Sequence, residues 1–267
     1  RHSPCFGHIL FGVSFMSNME SRLNKSDAGV VREKNVLVIG AGSGIGAALV
    51  DRLASRIEVN HVVALSARPV AAIGRDVTWL AHDALKEAPA ALTGKLKSHV
   101  ERLHQVFVCV GFLHDSHNRP EKALRELSGD HAMKSFRSNA LAPLRYVEGC
   151  LPLLFHAERS EVLILSAKVG SIGDNGLGGW YSYRMSKAAL NMGVRNLAIE
   201  AGRRRNHPIV AAVHPGTTRS PLSNAFLRGR ECVSARKAAD RLVALANGCD
   251  PSIHGCFVHW DGTPLPW

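Results

Sequence analysis

Val36-Leu37-Val38-Ile39-Gly40-Ala41-Gly42-Ser43-Gly44-Ile45-Gly46 is the stretch on which the fold of this chain turns. Four aliphatic, mostly β-branched residues run straight into closely spaced glycines, and Ala47-Ala48-Leu49-Val50 then begins a helical pattern. Strand, glycine turn and helix in that order form a cradle for a phosphate. Glycine permits the tight turn and lets the backbone approach a pyrophosphate, whose charge meets the free N–H groups at the start of the helix. Gly40, Gly42, Ser43, Gly44, Ile45 and Gly46 are the candidate phosphate-binding residues.

Outward from this turn, short β-branched runs alternate with longer helical stretches. That is the pattern of βαβ units and of a parallel sheet covered on both faces. Strands are expected at Val36–Ile39, His61–Leu65, Thr78–Ala81, Val106–Val110, Val162–Leu165, Ile209–Val213 and Phe257–Trp260. Helices are expected at Ile45–Arg56, Ala88–Val100, Asp130–Phe155, Tyr181–Arg205 and Ser234–Asn247. The fold class is therefore α/β, a Rossmann-type doubly wound, seven-stranded and mostly parallel sheet with helices on both faces. Residues 1–34 mix Ser, Asn, Gly and charges without sustained period and read as a tail or upstream extension, leaving 35–267 as one domain.

The end of the second strand bears on which dinucleotide binds. An acidic residue about 20 residues past the glycine turn would grip the ribose hydroxyls of NAD. This chain has Ser66-Ala67-Arg68 there. With no carboxylate to repel a 2′-phosphate and a guanidinium to pair with it, NADP(H) is favoured over NAD(H).

Tyr183-Arg184-Met185-Ser186-Lys187 places a phenol and an ammonium four residues apart, on one face of the helix beginning near Tyr181. A tyrosine holds its proton to about pH 10, so a lysine cation beside it favours the phenolate and eases proton exchange with a substrate oxygen. Tyr181 is a second tyrosine nearby, but only Tyr183 has a lysine at the fourth position after it.

Composition excludes several other classes. The chain has 267 residues and is 46% hydrophobic, enough for a sizeable core. No run approaches the roughly 20 apolar residues of a membrane span, so no membrane partner is expected. Cys5, Cys109, Cys150, Cys232, Cys249 and Cys256 show no CxxC and no zinc-type spacing with histidine, which argues against a metal site or a disulfide framework and fits a reducing, cytoplasmic setting. The net charge of +11 is spread along the chain without a nucleic-acid motif or aromatic platform, so no nucleic acid is expected and attraction for an anionic cofactor explains the charge as well.

The glycine turn, the YxxxK helix and His214-Pro215-Gly216 after the next strand resemble the short-chain dehydrogenase/reductase family over about Asn35 to Trp267. Within it, Ser166 to Met192 and Trp260-Asp261-Gly262 are similar to the carbonyl-reductase-like and C-factor branch. The resemblance implies adenine contact by Asp83, a proton-relay water held through Asn139, ribose binding by Lys187, and a nicotinamide border at Pro215, Gly216, Thr217 and Thr218. The chain departs from the family twice. The turn after the fourth strand reads Val108-Cys109-Val110-Gly111, in which Gly111 still lets the backbone pass close to the cofactor. The position of the family's substrate-orienting serine falls on Ala167, leaving Ser166, Ser171 or impaired catalysis as alternatives.

The function so implied is an NADP(H)-dependent oxidoreductase moving a hydride between nicotinamide and a carbonyl or alcohol substrate. Tyr183 is its proton donor and Lys187 lowers the phenol's pKa. The substrate pocket is expected along Ser171–Gly179 and Thr217–Arg230. A dinucleotide-binding regulator of the same fold with little turnover is the alternative. The two long helices suggest a homodimer or homotetramer.

Overall fold

Alternation along the first strand organises the core. In β1 (Lys34–Ile39), Val36 and Val38 face one way and Leu37 and Ile39 the other, and all four are completely buried. Successive side chains leave a strand on opposite faces, so a fully buried strand must be covered on both sides. The computed structural model describes residues 34–67, 76–156, 158–227, 229 and 231–267, and the tail expected over residues 1–34 lies outside them except for Lys34, which opens β1.

Seven strands form one parallel sheet in the order β3-β2-β1-β4-β5-β6-β9. After β1 these are β2 (Val59–Ser66), β3 (Val77–Ala81), β4 (Gln105–Val108), β5 (Glu161–Leu165), β6 (Ile209–His214) and β9 (Phe257–His259). The two-residue strands β7 (Thr218–Arg219) and β8 (Val233–Ser234) pair separately. On one face, Leu37, Ile39, Val106 and Val108 pack with Tyr146, Val147, Leu190 and Val194. On the other, Val36, Val38 and Phe107 pack with Leu49, Leu53, Leu242 and Ala246. The doubly wound, seven-stranded expectation is met.

The helices are α1 (Gly44–Leu53), α2 (Pro89–Lys97), α3 (Gly129–Phe136), α4 (Ala142–Cys150), α5 (Tyr181–Ala201) and α6 (Ala235–Asn247). One expected element departs from a plain helix. Asp130–Phe155 is not uniformly α-helical: a π-helical turn, Arg137–Leu141, separates α3 from α4, and a 3₁₀ turn, Leu151–Leu153, follows. Proline explains both. Pro143 and Pro152 carry no N–H, so the carbonyls four residues before them, Asn139 and Glu148, have no α-helical donor. The expected helix Tyr181–Arg205 ends earlier, at Ala201, ahead of Gly202 and the arginine run.

Candidate active site

A cavity of about 1090 Å³ opens at the carboxyl ends of the strands, where the chain order reverses between β1 and β4. Open α/β sheets bind ligands at such a switch point. Its walls come from the residues just past β1, β2, β4, β5 and β6, because parallel strands all end on the same side.

Glycine geometry shapes the first wall. Gly40 and Gly44 have φ of +84° and +57°, a region that side chains disfavour. Gly46 is obligatory for a different reason: a Cβ there would stand 2.1 Å from the Gly40 carbonyl oxygen. Gly40, Gly42, Ser43, Gly44 and Ile45 line the cavity, whereas Gly46 lies beneath as the packing contact that lets α1 start there. Ser43, the residue capping α1, is extended and makes no side-chain cap bond, and no acidic residue occupies the first helical turn. The amides at the head of α1 thus keep their positive potential for an anion. Ser66 and Ala67 continue the wall, and Arg68 directly after them lies outside the described residues.

Tyr183 and Lys187 both project from α5 into this cavity. Lys187 is only 3% exposed, and its Nζ donates to the Leu165 carbonyl oxygen at 2.9 Å. Burial pushes its pKa down to about 8. The half-buried Tyr183 hydroxyl makes no hydrogen bond among the described residues, and desolvation pushes it up to about 12. Burial, rather than the lysine, sets the direction of the phenol's shift. Gly111 brings the β4 turn close: a Cβ there would lie 3.5 Å from Asn139 Oδ1 and 3.8 Å from Lys187 Nζ.

Several expected residues are occupied otherwise. Asn139 is fully buried; its Oδ1 accepts from Phe112 N at 2.6 Å, and its Nδ2 donates to Phe112 O at 2.7 Å and Ser186 Oγ at 3.0 Å. The side chain therefore pins the β4 turn to α5. Ser166 lines the cavity, yet its hydroxyl donates to Asn191 Oδ1 at 2.6 Å. Ser171 lies outside the lining and engages Trp267 O and Asp174 N. Ala167, extended, presents a methyl group at the lining. Asp83 does not line the cavity either: its Oδ1 accepts from Leu85 N in a turn, and Oδ2 meets Lys86 Nζ at 3.3 Å. Pro215, Gly216, Thr217 and Thr218 do line it, with Thr218 Oγ1 donating to Gly216 O at 3.0 Å.

A row of rings that nothing in the sequence draws together also lines the cavity. His114 meets Phe226 at 5.1 Å, Phe226 meets Trp180 at 5.4 Å, and Trp180 meets Tyr183 at 6.2 Å, all edge to face. Phe226 falls within the expected pocket segment Thr217–Arg230, and Trp180 adjoins the expected Ser171–Gly179. Phe112, Leu113 and His114 carry no signal beyond following Gly111. Among the described residues, no cluster suited to a metal ion occurs, and no helix is long and apolar enough to cross a membrane.

Comparison with known proteins agrees with this fold. The short chain dehydrogenase family profile matches residues 34–231. A 1-hydroxy-2-glutathionyl-2-methyl-3-butene dehydrogenase from Rhodococcus sp. (strain AD45) is 32% identical over 233 residues, covering 87% of this chain and 99% of that protein. The C-signal protein of Myxococcus xanthus is 31% identical over 147 residues, covering 54% of this chain and 84% of that protein. In fold, NADPH-bound carbonyl reductase from chicken fatty liver superposes with a TM-score of 0.76 at 22% identity, covering 91% of this chain and 97% of that one.

Gly46→Ala tests the cradle directly, since its Cβ must push α1 off the sheet by displacing backbone rather than a side chain. The expected result is loss of dinucleotide binding, read by quenching of intrinsic fluorescence, together with a melting temperature several degrees lower, the response of a domain this size to a destabilisation of about 1–3 kcal/mol. Parent-like binding would show that the turn is not the cofactor's seat.

Proposed function

This chain belongs to the short-chain dehydrogenase family, and from that premise we propose that it is an NADP(H)-dependent carbonyl reductase, Tyr183 being its proton donor. It is a nicotinamide-dependent oxidoreductase by family; the substrate class, cofactor preference and residue roles are the inference. The observation that carries it is the convergence of Tyr183, buried Lys187 and the Gly40–Ile45 turn on one cavity.

The glycine turn and the head of α1 would hold the pyrophosphate, Lys187 the nicotinamide ribose, and Pro215 to Thr218 the border of the nicotinamide. When bound, the dinucleotide supplies the hydride that reduces the carbonyl carbon. Tyr183, protonated at neutral pH, gives its proton to the carbonyl oxygen, and the product is the alcohol. The Lys187 ammonium, held toward Leu165 O, stabilises the phenolate left behind. A water on the Asn139 carbonyl, which Pro143 leaves without an α-helical donor, is the route by which Tyr183 regains a proton. The aromatic row favours an apolar or aromatic carbonyl, since rings packed edge to face offer dispersion and few hydrogen bonds.

A second reading, a dinucleotide-binding regulator with little turnover, draws on the Ala167 methyl and on the engagement of both Ser166 and Ser171. NADPH oxidation with aromatic aldehydes, benzil and menadione separates the two. Tyr183→Phe is expected to keep cofactor affinity while turnover falls on the order of 10²-fold or more. Turnover at the parent rate would overturn the mechanism. Absence of turnover by the parent, with activity appearing in Ala167→Ser, would favour the regulator.

Arg68 is proposed to pair with the 2′-phosphate of NADP(H). Titration is expected to show tighter NADPH than NADH binding, and Arg68→Ala to remove roughly tenfold or more of that preference, the value of a charge-assisted pair. Tighter NADH binding by the parent protein would reverse the assignment.

A second copy of the chain is proposed as the partner of the α3–α5 face. Met185, Met192 and Ile199, seven residues apart along α5, and Met133 and Phe136 on α3 are each 43–63% exposed, an apolar stripe unusual for a monomer. Sedimentation is expected to show a dimer or tetramer, and Met192→Glu with Ile199→Glu to yield monomer. A monomeric parent would sink this assembly.

A further inference from the structure

Glu121 is almost wholly buried, 2% exposed, and every polar group it meets belongs to the beginning of α5 or to α3. Its backbone oxygen accepts from Trp180 N at 2.5 Å, its Oε2 accepts from Ser182 N at 3.2 Å, and its Oε1 accepts a short hydrogen bond from the Ser182 hydroxyl. His131 Nδ1 of α3 lies 3.1 Å from the same Oε1. Tyr183 is the next residue along the helix.

The backbone explains the need for such a grip. Gly178, Gly179 and Trp180 have φ of +62°, +63° and +53°, three left-handed residues in succession. Glycine adopts this readily, but a bulky residue such as tryptophan does so only where its surroundings enforce it. Trp180 is also the N-cap of α5 and offers no side-chain acceptor. Helices are ordinarily started by Ser, Thr, Asp or Asn at this position. Here the position carries a ring that lines the cavity and packs against Tyr183 and Phe226, so the cap must come from elsewhere. Glu121 supplies it from 61 residues away, with its negative charge at the positive end of the helix. Arg184 closes the turn from the other side, donating from Nε to the Gly178 and Gly179 carbonyls at 3.2 and 3.1 Å and from Nη1 to Val169 O at 3.1 Å.

We propose that Glu121 is a positioning residue for the reaction: its buried carboxylate holds the left-handed turn at the head of α5, and so fixes where Trp180 meets the substrate and where Tyr183 presents its hydroxyl. The proposal rests on Tyr183 acting as the proton donor. It does not make Glu121 a proton carrier, since Glu121 does not line the cavity. A buried carboxylate is destabilising unless its donors are in place; here the same donors define the geometry of the proton-donating residue.

The test uses the full chain with Glu121→Ala and Glu121→Gln, NADPH, and menadione as the probe carbonyl. Glutamine keeps an acceptor for the Ser182 amide and loses the charge, so it is the conservative variant. Expected are an NADPH Kd within about twofold of the parent, and a kcat lowered on the order of tenfold or more for alanine and less for glutamine, the scale of a misaligned reacting group. Acrylamide quenching of Trp180, isolated by subtracting the same background carrying Trp180→Phe, is expected to rise in the same order. Folded variants with parent-like kcat and parent-like quenching would overturn the proposal. Should Tyr183→Phe keep parent activity, the assignment of Tyr183 fails by itself, and the quenching of Trp180 still decides whether Glu121 holds the turn. Should the alanine variant not fold, the glutamine variant carries both readouts.

Discussion

A Cβ at residue 46 would stand 2.1 Å from the carbonyl oxygen of Gly40 and 2.8 Å from its carbon. No rotamer change relieves such a clash, because both sides of it are backbone. Helix α1 can therefore leave β1 this closely only with glycine there, and much else follows from the closeness. The first turn of α1 aims its amides across the carboxyl ends of β1 and β4, and Leu49 and Leu53 reach the face of the sheet where Val36, Val38 and Phe107 lie. The Gly40 bend in turn brings the chain under the β4 turn, where a Cβ on Gly40 would touch Cys109 at 3.0 Å. One steric prohibition thus joins the phosphate cradle, one half of the core and the floor of the cavity.

Periodicity and glycine spacing make the frame legible in the sequence itself. The seven strands lie where the β-branched runs place them, and Tyr183 and Lys187 share the helix face that a separation of four requires. Much of what stays hidden is decided by partners distant in sequence. Nothing near Ser166 announces that Asn191, 25 residues later, accepts the hydrogen bond from its hydroxyl. Asp83, expected at the adenine, does not line the cavity, and its carboxylate accepts from Leu85 N. The π-helical turn has a signal in Pro143, readable only by asking which carbonyl that proline leaves without a donor. Glu121 has none: a glutamate in a loop of mixed polarity looks solvent-exposed until the fold closes over it.

The electrostatics of the site also resist reading by spacing. A separation of four residues between phenol and ammonium suggests attraction between a phenolate and a cation, but burial acts on both groups as well. Desolvation disfavours the charged form of each group, moving the tyrosine up and the lysine down. Both shifts favour neutrality, and the Tyr183 hydroxyl is left protonated while the lysine keeps its charge through neutral pH. His214 on the same wall follows the rule, pushed down to about 4 mainly by burial, so it enters the site as a neutral ring.

Cys109 carries a consequence of that burial. It lines the cavity beside the Gly40 turn, where a thiolate would be a soft nucleophile. Desolvation pushes its pKa up to about 12 despite the nearby Lys187 charge. Since thiolate rather than thiol is the nucleophile, that upward shift leaves Cys109 as the unreactive thiol near neutrality. The burial that pushes the Tyr183 phenol up thus also keeps this thiol in the form that does not attack.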